Sequence, residues 1–102
     1  MFLARVIGQV VATRKDPQMT GGKLLLLRPM LIDEQDPSQF RPGQNTVVAV
    51  DALGAGEGDL VLFAQGSSAR RTEGLSDMPI DAAVTGIVDS VTVLGGTMFK
   101  AN

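Results

Sequence analysis

Residues 2–13 alternate. Phe2, Ala4, Val6, Gly8, Val10 and Ala12 fall on one face, and Arg5, Gln9 and Thr13 share the other with Leu3, Ile7 and Val11. A period of two predicts a strand, because successive side chains on extended backbone point to opposite faces. Gly8 in its middle predicts a bend or bulge, as at a barrel corner. Residues 14–22 carry Pro17 and Gly21-Gly22 and read as a loop. Lys23–Ile32 reads as the second strand, with four consecutive leucines at Leu24–Leu27; Pro29 is expected to end its pairing or to sit on an edge. Residues 33–45 read as a long exposed loop. Thr46–Val50, Leu60–Ala64 and the valine-rich Ala82–Leu94 read as the third, fourth and fifth strands. Gly95-Gly96 is expected to break the fifth before a short tail. Ser67–Arg71 could form one helical turn with a serine at its cap, and residues 72–79 are another loop.

Short strands separated by turn signals, with no strong helical period, are the pattern of a small sandwich or barrel. Five strands in this length predict an all-β fold: a five-stranded, OB-like barrel with at most one or two helical turns. Leu24–Leu27, Val47–Val50 and Leu60–Phe63 are apolar on both faces. A small antiparallel barrel that shows water its outer face alternates instead. The outer face therefore needs cover, either from a second subunit or from long loops folded back; the first is the expectation here.

Composition narrows the function. The 102 residues, 1–102, fit one domain, and 44% hydrophobic with 20% charged residues is the balance of a folded chain. The formal net charge of −2 lacks the basic surplus of a nucleic-acid binder. There is no Cys and no His, hence no disulfide, no thiolate nucleophile and neither the commonest general base nor the commonest transition-metal ligand. The opening Met1-Phe2-Leu3-Ala4-Arg5 does not have the form of a signal peptide, and no apolar run approaches the ~18 residues of a membrane-spanning helix. A soluble cytoplasmic chain without a membrane partner, a cofactor or a bound metal is expected.

Candidate chemistry is thin. Gly54-Ala55-Gly56-Glu57-Gly58 has the look of a phosphate cradle, but a strand follows it where a dinucleotide fingerprint needs a helix, so a tight turn at positive φ is the better reading. Asp77, Asp81 and Asp89 could pair as carboxylates. Asp89, read as lying within the fifth strand between Ile87 and Val91, needs a partner such as Arg5, Arg70 or Arg71, and a structural or intersubunit ion pair is expected rather than catalysis. Arg14, Lys15 and Lys23 flank a loop and read as a solvated face. Ser67 and Ser68 lack a base to activate them.

Three stretches give the chain a family resemblance. They are Arg5-Val6-Ile7-Gly8-Gln9-Val10-Val11-Ala12-Thr13-Arg14-Lys15; Asp51-Ala52-Leu53-Gly54-Ala55-Gly56-Glu57-Gly58-Asp59 with Gly66-Ser67-Ser68-Ala69-Arg70; and Pro79-Ile80-Asp81-Ala82-Ala83-Val84 with Gly86-Ile87-Val88-Asp89. In this order they resemble the bacterial microcompartment vertex proteins of the EutN/CcmL type, with a longer, proline-bearing segment at 33–45. The resemblance implies an OB-like barrel assembling as a cyclic homopentamer that caps the five-fold vertices of a shell tiled by hexameric proteins. It implies a structural role, without enzymatic activity, in a microcompartment of the cytoplasm. It places Gly66, Ser67 and Ser68 near an axial pore. Gly54, Ala55, Gly56, Ala69, Arg70, Asp81 and Asp89 are expected at the pore or subunit interface, and a charge at Ala55 or Ala69 is expected to weaken the ring. The alternatives are an OB-fold-like module binding an oligonucleotide or another ligand, disfavoured by four phenylalanines and a negative charge, and a small enzyme using Asp81 or Asp89 with Arg70.

Overall fold

The computed structural model describes residues 1–12, 22–66 and 81–101. They form eight strands: β1 (Phe2–Val10), β2 (Lys23–Ile32), β3 (Phe40–Pro42), β4 (Val47–Asp51), β5 (Leu60–Gln65), β6 (Ala82–Ile87), β7 (Ser90–Val93) and β8 (Gly96–Lys100). No helix occurs among the described residues; the expected turn at Ser67–Arg71 lies outside them.

Five of the strands close a barrel. The ladder runs β1-β5-β6-β4-β2 and returns through β2 to β1, with β3 added along the outer half of β2. Every pairing is antiparallel except β4 with β6, which is parallel and registers only at Val50 with Ala83. The alternation of β1 breaks between Val6 and Gly8, where the register against β2 shifts by a residue. A Cβ on Gly8 would make only ordinary contact with the Leu26 side chain, 3.6 Å from its Cδ1, so the space there does not demand glycine. Such a bulge bends a strand and lets one long element serve two neighbours around a tight barrel.

The core follows the pleat. Ala4 and Val6 of β1, Leu25 and Leu27 of β2, Ala49 of β4, Val61 and Phe63 of β5, and Ala82 and Val84 of β6 point inward and are buried. A five-stranded barrel is narrower than the eight-stranded kind that side chains just fill, so small residues must face large ones. Three alanines leave room for Phe63, whose ring meets Phe2 at the barrel end with centroids 5.4 Å apart. Packing is as tight at the entry to β2. A Cβ on Gly22 would stand 2.7 Å from Cγ1 of Val50, a branched side chain with little χ1 freedom. Gly22→Ala is therefore expected to cost about 1–3 kcal/mol, read as a lower urea midpoint with an unchanged slope.

Four sequence expectations are corrected here. The segment 33–45 is not all loop. Its residues Phe40–Pro42 return as β3 against Met30–Ile32, and Pro29 is no terminator, because β2 runs through it and its carbonyl accepts the Gly43 N–H at 2.8 Å. The fifth predicted strand is two strands. β6 leaves the barrel ladder at Val88, whose N–H bonds the Leu60 carbonyl at 2.9 Å, and β7 begins a separate sheet. The tail beyond Gly96 is β8, paired with β7.

Candidate functional site

The loop joining β4 to β5 is built around one carboxylate. Asp51, the last residue of β4, is 1% exposed. Its Oδ1 accepts the Leu53 N–H at 2.9 Å, and its Oδ2 accepts those of Gly54 at 3.2 Å and Ala55 at 2.7 Å. Lys23, opposite it in the β2–β4 register, sets Nζ 4.0 Å from Oδ2 and donates to the Ala55 carbonyl at 2.7 Å. A chain that turns over its own aspartate in this way is an Asx turn extended by one residue. Gly54 and Gly58, at φ 93° and 91°, provide the left-handed corners. Asp59 closes the second half: its Oδ2 accepts the Gly56 N–H at 2.9 Å, and backbone bonds join Gly58 N–H to the Val6 carbonyl and Val6 N–H to the Asp59 carbonyl. The loop is thus a rigid cap sewn to β1. It presents no phosphate cradle, because its N–H groups are already bonded inward.

The predicted residues fall in different places. Ala55 is fully buried and packs in the core of its own barrel, so a charge there damages the fold before any interface. Gly54 lies on the outer side of the cap, with nothing within 4 Å of a Cβ built on it. Gly56 starts the Asp59 turn. Gly66 ends β5 at φ 68°, and its N–H bonds the exposed Asp81 carbonyl at 2.7 Å. Asp89 is not inside a strand: it is exposed in the bend between β6 and β7, and its carbonyl accepts the Ala101 N–H at 2.7 Å. The proposed partner Arg5 is engaged elsewhere, donating to the Gly58 carbonyl at 3.0 Å and lying over the Phe99 ring. Ser67, Ser68, Ala69 and Arg70 lie outside the described residues, as do Arg71, Asp77, Arg14 and Lys15.

The apolar outer face is real. The register places Leu24, Leu26, Val48 and Val50 outward on β2 and β4, opposite in sense to Leu25, Leu27, Val47 and Ala49. Ile7 flanks Leu26 across the β1 bulge. Ile7 at 41% and Val48 at 48% exposure, with half-buried Leu26 between them, make a continuous stripe across three strands. Solvated faces of this kind normally carry polar residues. Among the described residues no cluster of three or more acidic side chains could hold a metal ion.

The family model described as "Ethanolamine utilisation protein EutN/carboxysome" matches residues 1–89. The chain belongs to the EutN/CcmL family. It is 48% identical over 92 residues to the bacterial microcompartment shell vertex protein PduN of Salmonella typhimurium, covering 90% of this chain and 99% of that one. It is 43% identical over 100 residues to the carboxysome shell vertex protein CcmL of a Synechocystis strain, covering 98% and 94%. Among solved structures, Gloeobacter violaceus CcmL superposes with a TM-score of 0.82 at 42% identity over 98% of this chain and 97% of that one. The GrpN pentameric microcompartment shell protein from Rhodospirillum rubrum superposes at 0.77 with 41% identity, over 92% and 100%. The similarity to these structures thus extends over nearly the whole chain. The feature that sequence reasoning missed is Asp51; its signal was an aspartate directly after an apolar run and three residues before a glycine.

Proposed function

We propose that this chain is a structural shell protein whose five copies close into a ring and cap a five-fold vertex of a bacterial microcompartment in the cytoplasm. The observation that carries the reading is its similarity to a pentameric shell protein along that protein's entire length. The uncovered Ile7–Leu26–Val48 stripe supports it independently, since a ring buries such a face. The mechanism is geometric. A cyclic ring joins one patch of each subunit to a different patch of the next, and five-fold closure supplies the curvature that a flat hexagonal layer lacks.

The whole chain, 1–102, acts as one vertex domain. Its neighbours in the shell are hexameric tiles, and it takes neither nucleic acid nor membrane as partner, in keeping with its charge of −2. It carries no enzymatic activity. Residues Gly66, Ser67 and Ser68 face the axial opening, and Gly54, Gly56, Ala69, Arg70, Asp81 and Asp89 lie at the pore or between subunits. Among the described residues nothing lies within 4 Å of a Cβ built on Gly54, which supports this by leaving room there for a neighbour. Native mass spectrometry of the purified protein is expected to give one species at five times the chain mass. A monomer that persists at high micromolar concentration would refute the vertex reading.

A further inference from the structure

β7 and β8 form a sheet of their own that shares no ladder with the barrel. An isolated two-stranded hairpin is marginal in water and needs an apolar face covered to persist. Among the described residues, its base is tied to the barrel. The Ala101 N–H bonds the Asp89 carbonyl, and the Arg5 guanidinium lies 5.5 Å from the centre of the Phe99 ring. Between the hairpin and the barrel runs an open cleft of about 580 Å³. Val91, Val93 and Phe99 are half-buried along the strands, whereas Ser90, Thr92 and Thr97 are exposed.

The tip is the unexpected part. Val93 pairs with Gly96, so Leu94 and Gly95 are a two-residue turn, and both have positive φ, 51° and 81°. That is a type I′ turn, whose first position favours asparagine, aspartate or glycine. Leucine there is strained, since a Cβ disfavours the left-handed region. Leu94 is also 91% exposed. One residue thus carries two costs that an asparagine would remove. Strain retained at an exposed apolar side chain points to a use for that side chain.

We infer that the β7–β8 hairpin is an assembly arm, and that Leu94 at its tip docks on the Ile7–Leu26–Val48 face of the next copy of this chain. This rests on the ring reading above and names the two patches that meet. A cyclic interface needs two unlike surfaces on each subunit. Among the described residues Leu94 is the most exposed large apolar side chain and sits at the tip of a projecting hairpin, the Ile7–Leu26–Val48 stripe is an apolar face of the barrel, and the long axis of 45 Å against 25 and 24 Å gives the monomer the reach of an elongated body.

The test is Leu94→Asn in the full-length protein, because asparagine keeps the turn and improves it. Native mass spectrometry across a dilution series is expected to show the five-fold species dissociating at a concentration at least ~10-fold higher than in the parent, the scale of losing one buried interface anchor. Circular dichroism is expected to show an undiminished strand signal. A benzophenone amino acid at position 94 is expected to crosslink to β1, β2 or β4 of another copy. An unchanged dilution midpoint, or adducts confined to one chain, would overturn the arm while leaving a pentameric parent, and with it the vertex reading, intact. A monomeric parent would sink both.

Discussion

Asp51→Ala lowers the unfolding free energy of the barrel by about 3–5 kcal/mol, the scale for breaking a buried, charge-assisted network from one side. The substitution removes the acceptor of three backbone N–H groups at once, those of Leu53, Gly54 and Ala55. The Ala55 group is itself buried and has no water to turn to. The Lys23 ammonium loses its counter-charge, although it keeps the Ala55 carbonyl and is half exposed. The loop then has no reason to keep Ala55 in the core, and its bonds to β1 through Val6 are placed under load. Asp51→Asn retains one oxygen acceptor but puts an NH2 against backbone donors, so it falls between the parent and alanine. Urea unfolding read by circular dichroism measures both. Assembly adds concentration-dependent stability to a folded subunit, so the comparison belongs on a monomeric background. A loss of under ~1 kcal/mol for Asp51→Ala, less than a single neutral hydrogen bond commonly contributes, would show that water replaces the carboxylate and that the cap is not built on it.

Val48→Asp converts the ring to monomers. Val48 is 48% exposed on the outer face of β4, opposite Leu26 in the register, so the single barrel accommodates a carboxylate there without burying it. On the ring reading proposed above, the next copy covers this face and the carboxylate is desolvated beside Leu26 of its own chain. An unpaired buried charge costs several kcal/mol or takes up a proton instead. Every copy carries the substitution, so each junction of the ring bears that cost, roughly a hundredfold or more in junction affinity. The expected result is a monomer by native mass spectrometry at concentrations where the parent is a pentamer, with its strand signal intact. A five-fold species that survives the substitution would move the interface off this stripe. The same variant provides the monomeric background for the Asp51 measurement.

The barrel was largely legible in the chain. β2 begins and ends where the leucine-rich run does, β5 matches its run to within a residue, and the Gly8 irregularity lies where glycine interrupts the alternation. These follow because a period of two is a local property of pleated backbone. What stayed hidden was non-local. The three residues of β3 are a strand only because Met30–Ile32 lie beside them. Ala82–Leu94 is rich in β-branched residues and reads as one strand, and the mark of the break, the adjacent polar pair Asp89-Ser90, is too short to announce that β7 leaves the barrel there. Ala55 looks like a small loop residue, and only the Asp51 clamp turns it into core. The exposed apolar side chains of the outer face were legible because the inference used both parities of the strands at once.

Closure of the β1-β5-β6-β4-β2 ladder has a consequence for growth. The barrel has no lateral strand with a full row of unpaired peptide groups, and the one strand appended to it is three residues long and ends in Pro42. Short, proline-bearing edges resist being extended by another chain. The barrel therefore offers little purchase for indefinite peptide-to-peptide stacking, the route by which sheets become fibres. Contacts between copies are left to side-chain shape, whose wedge angle fixes how many fit around an axis before the circle is complete. On the ring reading, growth ends when the circle closes.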